Sequence, residues 1–291
     1  MSERKEADVA KKLERIAKLD GAKRVVVIAD LHCGHRVGLT PPPWQQSHER
    51  AKKWAAHQHD LWAYYSGACE RLQPVDCVIV NGDCIDGKGY RSGGTELIVV
   101  DRNEQATMAA HCIKRVYAQK DIVITHGTAY HTGESEDYED VVASILEGDP
   151  EIKANIKVGD HEWVNVNGCM FDAKHHIGKS TIPHGKATPV LKDALWNLVY
   201  AARDEQDKAD IVVRSHVHTF VAIIDFDVLA LVTPGLQGYG SKYGQRLCSN
   251  TVDFGLIAFD VTEDGAWMFV GGKPKQFIRG FKDQKPKAVK V

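Results

Sequence analysis

Apolar residues along this chain fall into short, continuous, β-branched runs separated by longer amphipathic stretches. The runs VVVIA (25–29), CVIV (77–80), DIVIT (121–125), CMFDA (169–173) and DIVV (210–213) predict strands. The early runs lack a polar alternation, which suits central strands covered on both faces. FVAIIDF (220–226), LALVT (229–233) and the apolar residues near 256–270 are shorter and partly alternating, which predicts an antiparallel meander. Between the strands, residues 47–72 place Trp54, Leu61, Trp62, Tyr65 and Leu72 on one helical stripe. Residues 103–119 and 188–206 carry similar stripes, and 134–147 opens with acidic side chains suited to a helix N-terminus. An α/β alternation that gives way to β-rich sequence predicts two stacked sheets flanked by helices, not one doubly wound sheet.

The ends differ from the middle. Residues 1–22 read as a charged, weakly amphipathic helical extension, 23–272 as the main domain, and 273–291 as a basic, loosely ordered tail. Two irregular stretches interrupt the domain: a Pro-rich loop at 33–46 and a Gly-rich loop at 88–97.

Composition changes this picture little but excludes several functions. A net charge of −2 over 291 residues is not the basic excess of a protein that coats nucleic acid, although a local basic groove stays open. No apolar stretch nears the roughly 20 residues that span a bilayer, and the N-terminus lacks the apolar core of a secretory signal. Seven scattered cysteines with no CxxC pair predict reduced thiols and a cytoplasmic protein.

The chemistry gathers where the strands end. Asp30 and His32 follow the first run, Asp83 the second, His131 the third, His175 and His176 the fourth, and His216 and His218 the fifth. Mixed imidazole and carboxylate donors suit Mn, Zn or Fe. In D-x-H and H-x-H at a strand end, a period of two would put both side chains on one face. A carboxylate such as Asp83 can bridge two ions about 3.5–4 Å apart, a pair suited to in-line phosphoryl transfer.

The order D-x-H, GDCIDG, a later histidine after glycine, His, and RSHVHT followed by LVTPG resembles the calcineurin-like metallophosphoesterases over residues 24–240. DLHCGH and the long insertions resemble members found in phages and prophages. The resemblance implies a four-layer αββα sandwich of two mixed sheets flanked by helices. It also implies hydrolysis of phosphate mono- or diesters by in-line attack of hydroxide held by two divalent ions. Asp30, His32 and His218 would then hold one metal, His216 and His175 (or its neighbour His176) the other, with Asp83 bridging. One block departs. Where the family has Gly-Asn-His-Asp/Glu, this chain has HGTAYHTG, so Thr128 replaces the asparagine and the histidine comes later. Thr128 as a weak ligand, His131 as leaving-group acid, and His131 as a metal ligand all stay open. The favoured reading makes His131 the catalytic acid and Asp86 the residue that orients it.

The expected partner is a phosphate ester, with nucleic acid as an alternative suggested by the basic tail and Trp44. A Mn-dependent nuclease or a catalytically weak metal-binding scaffold are the competing functions. Tyr239, Lys242, Tyr243 and Arg246 follow the TPG turn, where they could meet a phosphate. His35, His126 and His184 are expected to be surface, loop or packing residues.

Overall fold

Along β1 (Lys23–Ile28), Val26 and Ile28 face one core while Val25 and Val27 face another. The same split occurs in β2 (Val75–Asn81), where Val78 and Val80 oppose Cys77 and Ile79, and in β3 (Ala118–Thr125), where Ile122 and Ile124 oppose Val123. Period-two geometry thus makes an unbroken apolar run serve two interfaces at once. In the computed structural model, described for residues 15–47, 49–132, 137–180, 182–225, 227–241, 252–272 and 277–280, these strands lie in a six-stranded sheet.

That sheet has the order β12-β11-β1-β2-β3-β4, with β4 (Asn155–Gly159), β11 (Ile257–Val261) and β12 (Trp267–Phe269) completing it. β1 through β4 pair in parallel, and β11 joins β1 antiparallel. A second sheet, β5-β6-β7-β9-β8, contains β5 (Glu162–Val166), β6 (Cys169–Ala173), β7 (Ile211–Arg214), β8 (Val221–Asp225) and β9 (Val228–Val232). Phe171, Val213 and Leu231 pack against Val25, Val27 and Ile79 to make the sheet–sheet core.

Helices cover the outer faces. α1 (Glu49–Lys52) and α2 (Ala55–Arg71) precede β2. α3 (Arg102–Lys114), the short α4 (Ala129–Thr132) and α5 (Tyr138–Glu147) follow it, and α6 (Thr188–Ala202) lies on the second sheet. Leu61 and Tyr65, Met108 and Ile113, and Val142 and Leu146 pack on the outer face of the first sheet, and Val190 and Ala194 on Val212 and Ala230 of the second. Two mixed sheets between helical layers are the αββα sandwich expected from the sequence.

Several elements differ from their sequence patterns. The 47–72 stripe is broken at Lys53–Trp54, where the Trp54 ring sits 4.5 Å from the Arg36 guanidinium carbon. The 103–119 helix stops at Lys114, because Tyr117 turns with φ 52° and the chain enters β3. The 188–206 helix ends at Ala202, two residues before Asp204 at φ 58°. The later strands pair antiparallel as β8–β9 and β11–β12 but form no single meander: the two pairs lie in different sheets, and β9 runs parallel to β7 on its other side. In the stretch read as a loose tail, Phe277 is buried and β13 (Ile278–Gly280) pairs with β10 (Asp253–Gly255). Residues 15–22 are not helical, and residues 1–14 of the N-terminal helix pattern lie outside the described residues.

One buried ion pair fastens the N-terminal approach to the sheet. The Arg24 guanidinium donates to both Asp260 oxygens at 2.7 and 2.8 Å and to the carbonyls of Ile16, Ala17 and Leu72. Removing one partner of such a pair strands a buried charge, at a cost of about 3–5 kcal/mol. Asp260→Ala is therefore expected to lower unfolding free energy by about that amount, as read by urea denaturation at pH 7.

Candidate metal centre

Strands β1, β2, β6 and β7 end at Ile28, Asn81, Ala173 and Arg214, and Asp30, Asp83, His175 and His216 each stand two residues farther on. The pleat has ended by then. Asp30, His32, Asp83, His216 and His218 instead have φ of 53°, 44°, 51°, 74° and 49°. A left-handed turn, not the period of two, swings each side chain into the cleft between the sheets. Non-glycine residues rarely adopt this conformation, and five in one place point to function. Two glycines make room for the crowding. A Cβ on Gly127 would fall 2.3 Å from Asp83 Oδ1, and one on Gly82, at φ 77°, 2.5 Å from the His175 ring.

The donors converge in two groups that share a neighbourhood around Asp83. In the first, the donor atoms of Asp30, His32 and His218 lie within 4.8 Å of one another. His218 Nε2 is 3.1 Å from Asp30 Oδ1 and 3.2 Å from His32 Nε2. His32 Nδ1 is 3.2 Å from the Asp86 carboxylate, so it donates there and turns a bare Nε2 lone pair toward the group. In the second, Asp83, His175 and His216 come together. His175 Nδ1 lies 2.6 Å from the Asn81 carbonyl, which can only accept, so Nε2 again faces inward, 3.1 Å from Asp83 Oδ2. That same oxygen is 4.0 Å from His32 Nε2 and 4.0 Å from His216 Nδ1.

This arrangement fits cations. Among the described residues, Asp30 Oδ1, His175 Nε2 and His216 Nδ1 are buried without a well-formed hydrogen bond. Lone pairs of carboxylate and imidazole facing one another repel unless a proton or a metal ion lies between them; against the effect of burial, Asp83 pushes His175 up to about 10, so a proton holds that place where no metal does. Burial alone would raise the Asp83 carboxyl, but His175 and His131 outweigh it and hold the group well below its ordinary range. Burial also opposes ionisation of Asp30, against which His218 acts most strongly to lower it. Burial depresses His32 to about 4, assisted by His131, so that imidazole is neutral at pH 7.

His131 stands beside the first group, not the second. Its Nδ1 is 3.0 Å from the Asp86 carbonyl and 3.6 Å from the Asp86 carboxylate, and its ring lies edge-on to His32 at 4.4 Å. Asp86 is thus closer through its carboxylate to His32 than to His131, and its backbone does the orienting of His131. Thr128 donates its N–H to Asp83 Oδ1 at 2.7 Å and its hydroxyl to the same oxygen at 3.1 Å. It braces the carboxylate from behind.

Of the histidine pair, His175 is buried among the donors and His176 is exposed, its ring 5.1 Å from that of His216. Lys242, Tyr243 and Arg246 lie outside the described residues. Tyr239 packs against the core, and Trp44 donates its indole N–H to Glu104, with His111 at its ring edge. His35 is buried, His184 is exposed, and His126 is not a free loop residue: its ring nitrogens meet Asp160 at 2.9 Å and Asp140 at 3.2 Å.

Sequence reading missed Asn81 and Glu139. Besides orienting His175, Asn81 donates to Ser215 and Lys174 and accepts from Thr125, tying four strand ends together. Its signal was a polar residue closing an apolar run. Glu139 is fully buried and accepts from the N–H of Cys84, next to Asp83. Burial, then the charge of Asp83, pushes it up to about 7. Nothing in the acidic run around it marks it out, because burial is not a local property.

No protein-family model matches the sequence, and no curated protein matches it. Among solved structures, 71 chains match. A novel archaeal phosphodiesterase is 14% identical at a TM-score of 0.41, over 85% of this chain and 98% of that one. Vacuolar protein sorting 29 from Cryptosporidium parvum is 15% identical at 0.40, over 86% and 96%. Vps29 from Entamoeba histolytica, complexed with zinc, is 15% identical at 0.36, over 84% and 96%. Among the described residues no helix is long and apolar enough to cross a membrane.

A cation that settles among these donors binds the folded chain and stabilises it by mass action, about 2.7 kcal/mol at a hundredfold excess over Kd. Adding Mn²⁺ or Zn²⁺ to chelator-treated protein is expected to raise the melting temperature in a concentration-dependent way. Thermal scans of the wild type and Asp83→Asn side by side check this, the variant showing little or no shift.

Proposed function

We propose that this chain is a dinuclear metal-dependent phosphoesterase that hydrolyses phosphate mono- or diesters. The observation that carries this reading is the set of buried donor atoms without a well-formed hydrogen bond on Asp30, His175 and His216, gathered with His32, His218 and Asp83 at strand ends. Asp30, His32 and His218 would hold one ion, His175 and His216 the other, and Asp83 both. Mn, Zn and Fe all suit this donor set. When bound, such a pair supplies Lewis-acid stabilisation of the phosphoryl charge and a clamp on its attacking and leaving oxygens.

The chain's own residues supply the remainder. His131 Nδ1 donates to the Asp86 carbonyl, which leaves Nε2 free to carry a proton toward a leaving oxygen. Its side chain is partly exposed, so it can reach a substrate while Asp83, at 1%, cannot be displaced by one. Thr128 keeps the Asp83 carboxylate turned toward both groups of imidazoles. Asp86 accepts from His32 and fixes its tautomer, which keeps Nε2 available as a donor atom.

Asp83→Asn is expected to lose bound metal and activity together. His131→Ala should keep its metal content while turnover on p-nitrophenyl phosphate or its diester falls roughly 10²–10⁴-fold, the usual contribution of a positioned acid. Elemental analysis alongside the kinetics decides the matter. A His131→Ala protein that has lost an ion would make His131 a ligand, and a metal-loaded wild type inert toward every phosphate ester would make the chain a binding scaffold.

A further inference from the structure

From the metal centre outward, aromatic rings lead to the surface. The His32 ring meets His131 at 4.4 Å, His131 meets Tyr130 at 4.7 Å, and Tyr130 meets Tyr90 at 6.1 Å. Tyr90 is 62% exposed, so its ring is open to a ligand. It comes from the Gly-rich loop after GDCIDG, the insertion to which sequence reading gave no role.

The loop fixes the backbone that carries that ring. Gly89, Gly93 and Gly94 take φ of 62°, 59° and 71°, closing a tight turn around Tyr90–Ser92. The Ser92 N–H and Ser92 hydroxyl both donate to the Gly89 carbonyl, and the Arg91 N–H donates to the Tyr130 hydroxyl at 2.5 Å. Two cations line the same place. The Arg91 guanidinium lies 5.2 Å from the Tyr130 ring centre and the Lys88 ammonium 5.8 Å from that of Tyr90.

Pre-ordered aromatic faces with flanking positive charge are how proteins hold nucleobases next to phosphates. The order of the rings selects among aromatic ligands. An aryl phosphate bonds its ring directly to the ester oxygen, which places it near His131 and Tyr130. A base set one sugar farther out meets Tyr90. Resting on the reading of the metal centre as the phosphate site, we infer that the Tyr90 ring, set edge-on to Tyr130 at an interplanar angle of 65°, is the platform on which the base of a nucleotide stacks. The leaving group would then be the nucleoside, since Tyr130 joins the platform to His131.

The test compares adenosine 5′-phosphate with ribose 5-phosphate, which differ by the base alone. Binding to the metal-loaded full-length chain is measured by calorimetry, and competition by the hydrolysis of p-nitrophenyl phosphate or its diester. The adenosine compound is expected to bind about 5- to 100-fold more tightly, the span typical of one base–aromatic stack. Tyr90→Ala should remove most of that preference, and Trp196→Ala, at an exposed aromatic on α6, should retain it. Equal affinities in the wild type, or a preference that survives in a Tyr90→Ala, Tyr130→Leu double variant, would overturn the inference. A base preference in a protein that hydrolyses no p-nitrophenyl ester would uphold the platform and sink the catalytic reading instead.

Discussion

Everything at the cleft depends on one electrostatic constraint: two buried carboxylates and four imidazoles must point lone pairs at a common space. Asp83 and Asp30 are 1% and 0% exposed, so water cannot screen them. Their charge is tolerated only because imidazoles face them and because the site can accept cations. Such a cluster opposes folding locally, and the scaffold must outweigh it. It does so through the three apolar cores and through polar groups that hold three of the six donors. Asn81 holds His175, Asp86 holds His32, and Thr128 holds Asp83.

The fold explains how residues distant in sequence meet. The apolar runs have two faces, so each strand is buried between a helical layer and the opposing sheet. Stacking the sheets brings the ends of β1 and β2 opposite those of β6 and β7. Arg214 locks the second pair: it donates to both Asp172 oxygens and to the Asp172 carbonyl, joining β6 to β7 just before His175 and His216. Register between neighbours therefore sets the donor geometry, and the left-handed turns after the strands finish it.

The HGTAYH segment takes a physical meaning from this frame. Thr128 braces Asp83 from behind through its N–H and its hydroxyl. His131, on the short helix α4, lies on the His32 side of the cleft. Gly87 permits this approach, since a Cβ there would lie 2.4 Å from the His131 carbonyl oxygen.

The sequence by itself determined the layered α/β architecture, because continuous β-branched runs and amphipathic stretches encode burial on two faces or one. It also marked Asp30, His32, Asp83, His175, His216 and His218, because ionisable residues closing apolar runs must collect at strand ends. It did not determine how those residues turn. The period of two that seemed to explain D-x-H is replaced by positive φ, a backbone state that no local pattern of Asp or His announces. Nor could it assign β8–β9 and β11–β12 to different sheets, or find Glu139 and Tyr90. Each of these rests on which strands pair and which surfaces close over a residue. Those contacts join positions far apart in the chain, and only tertiary structure decides them.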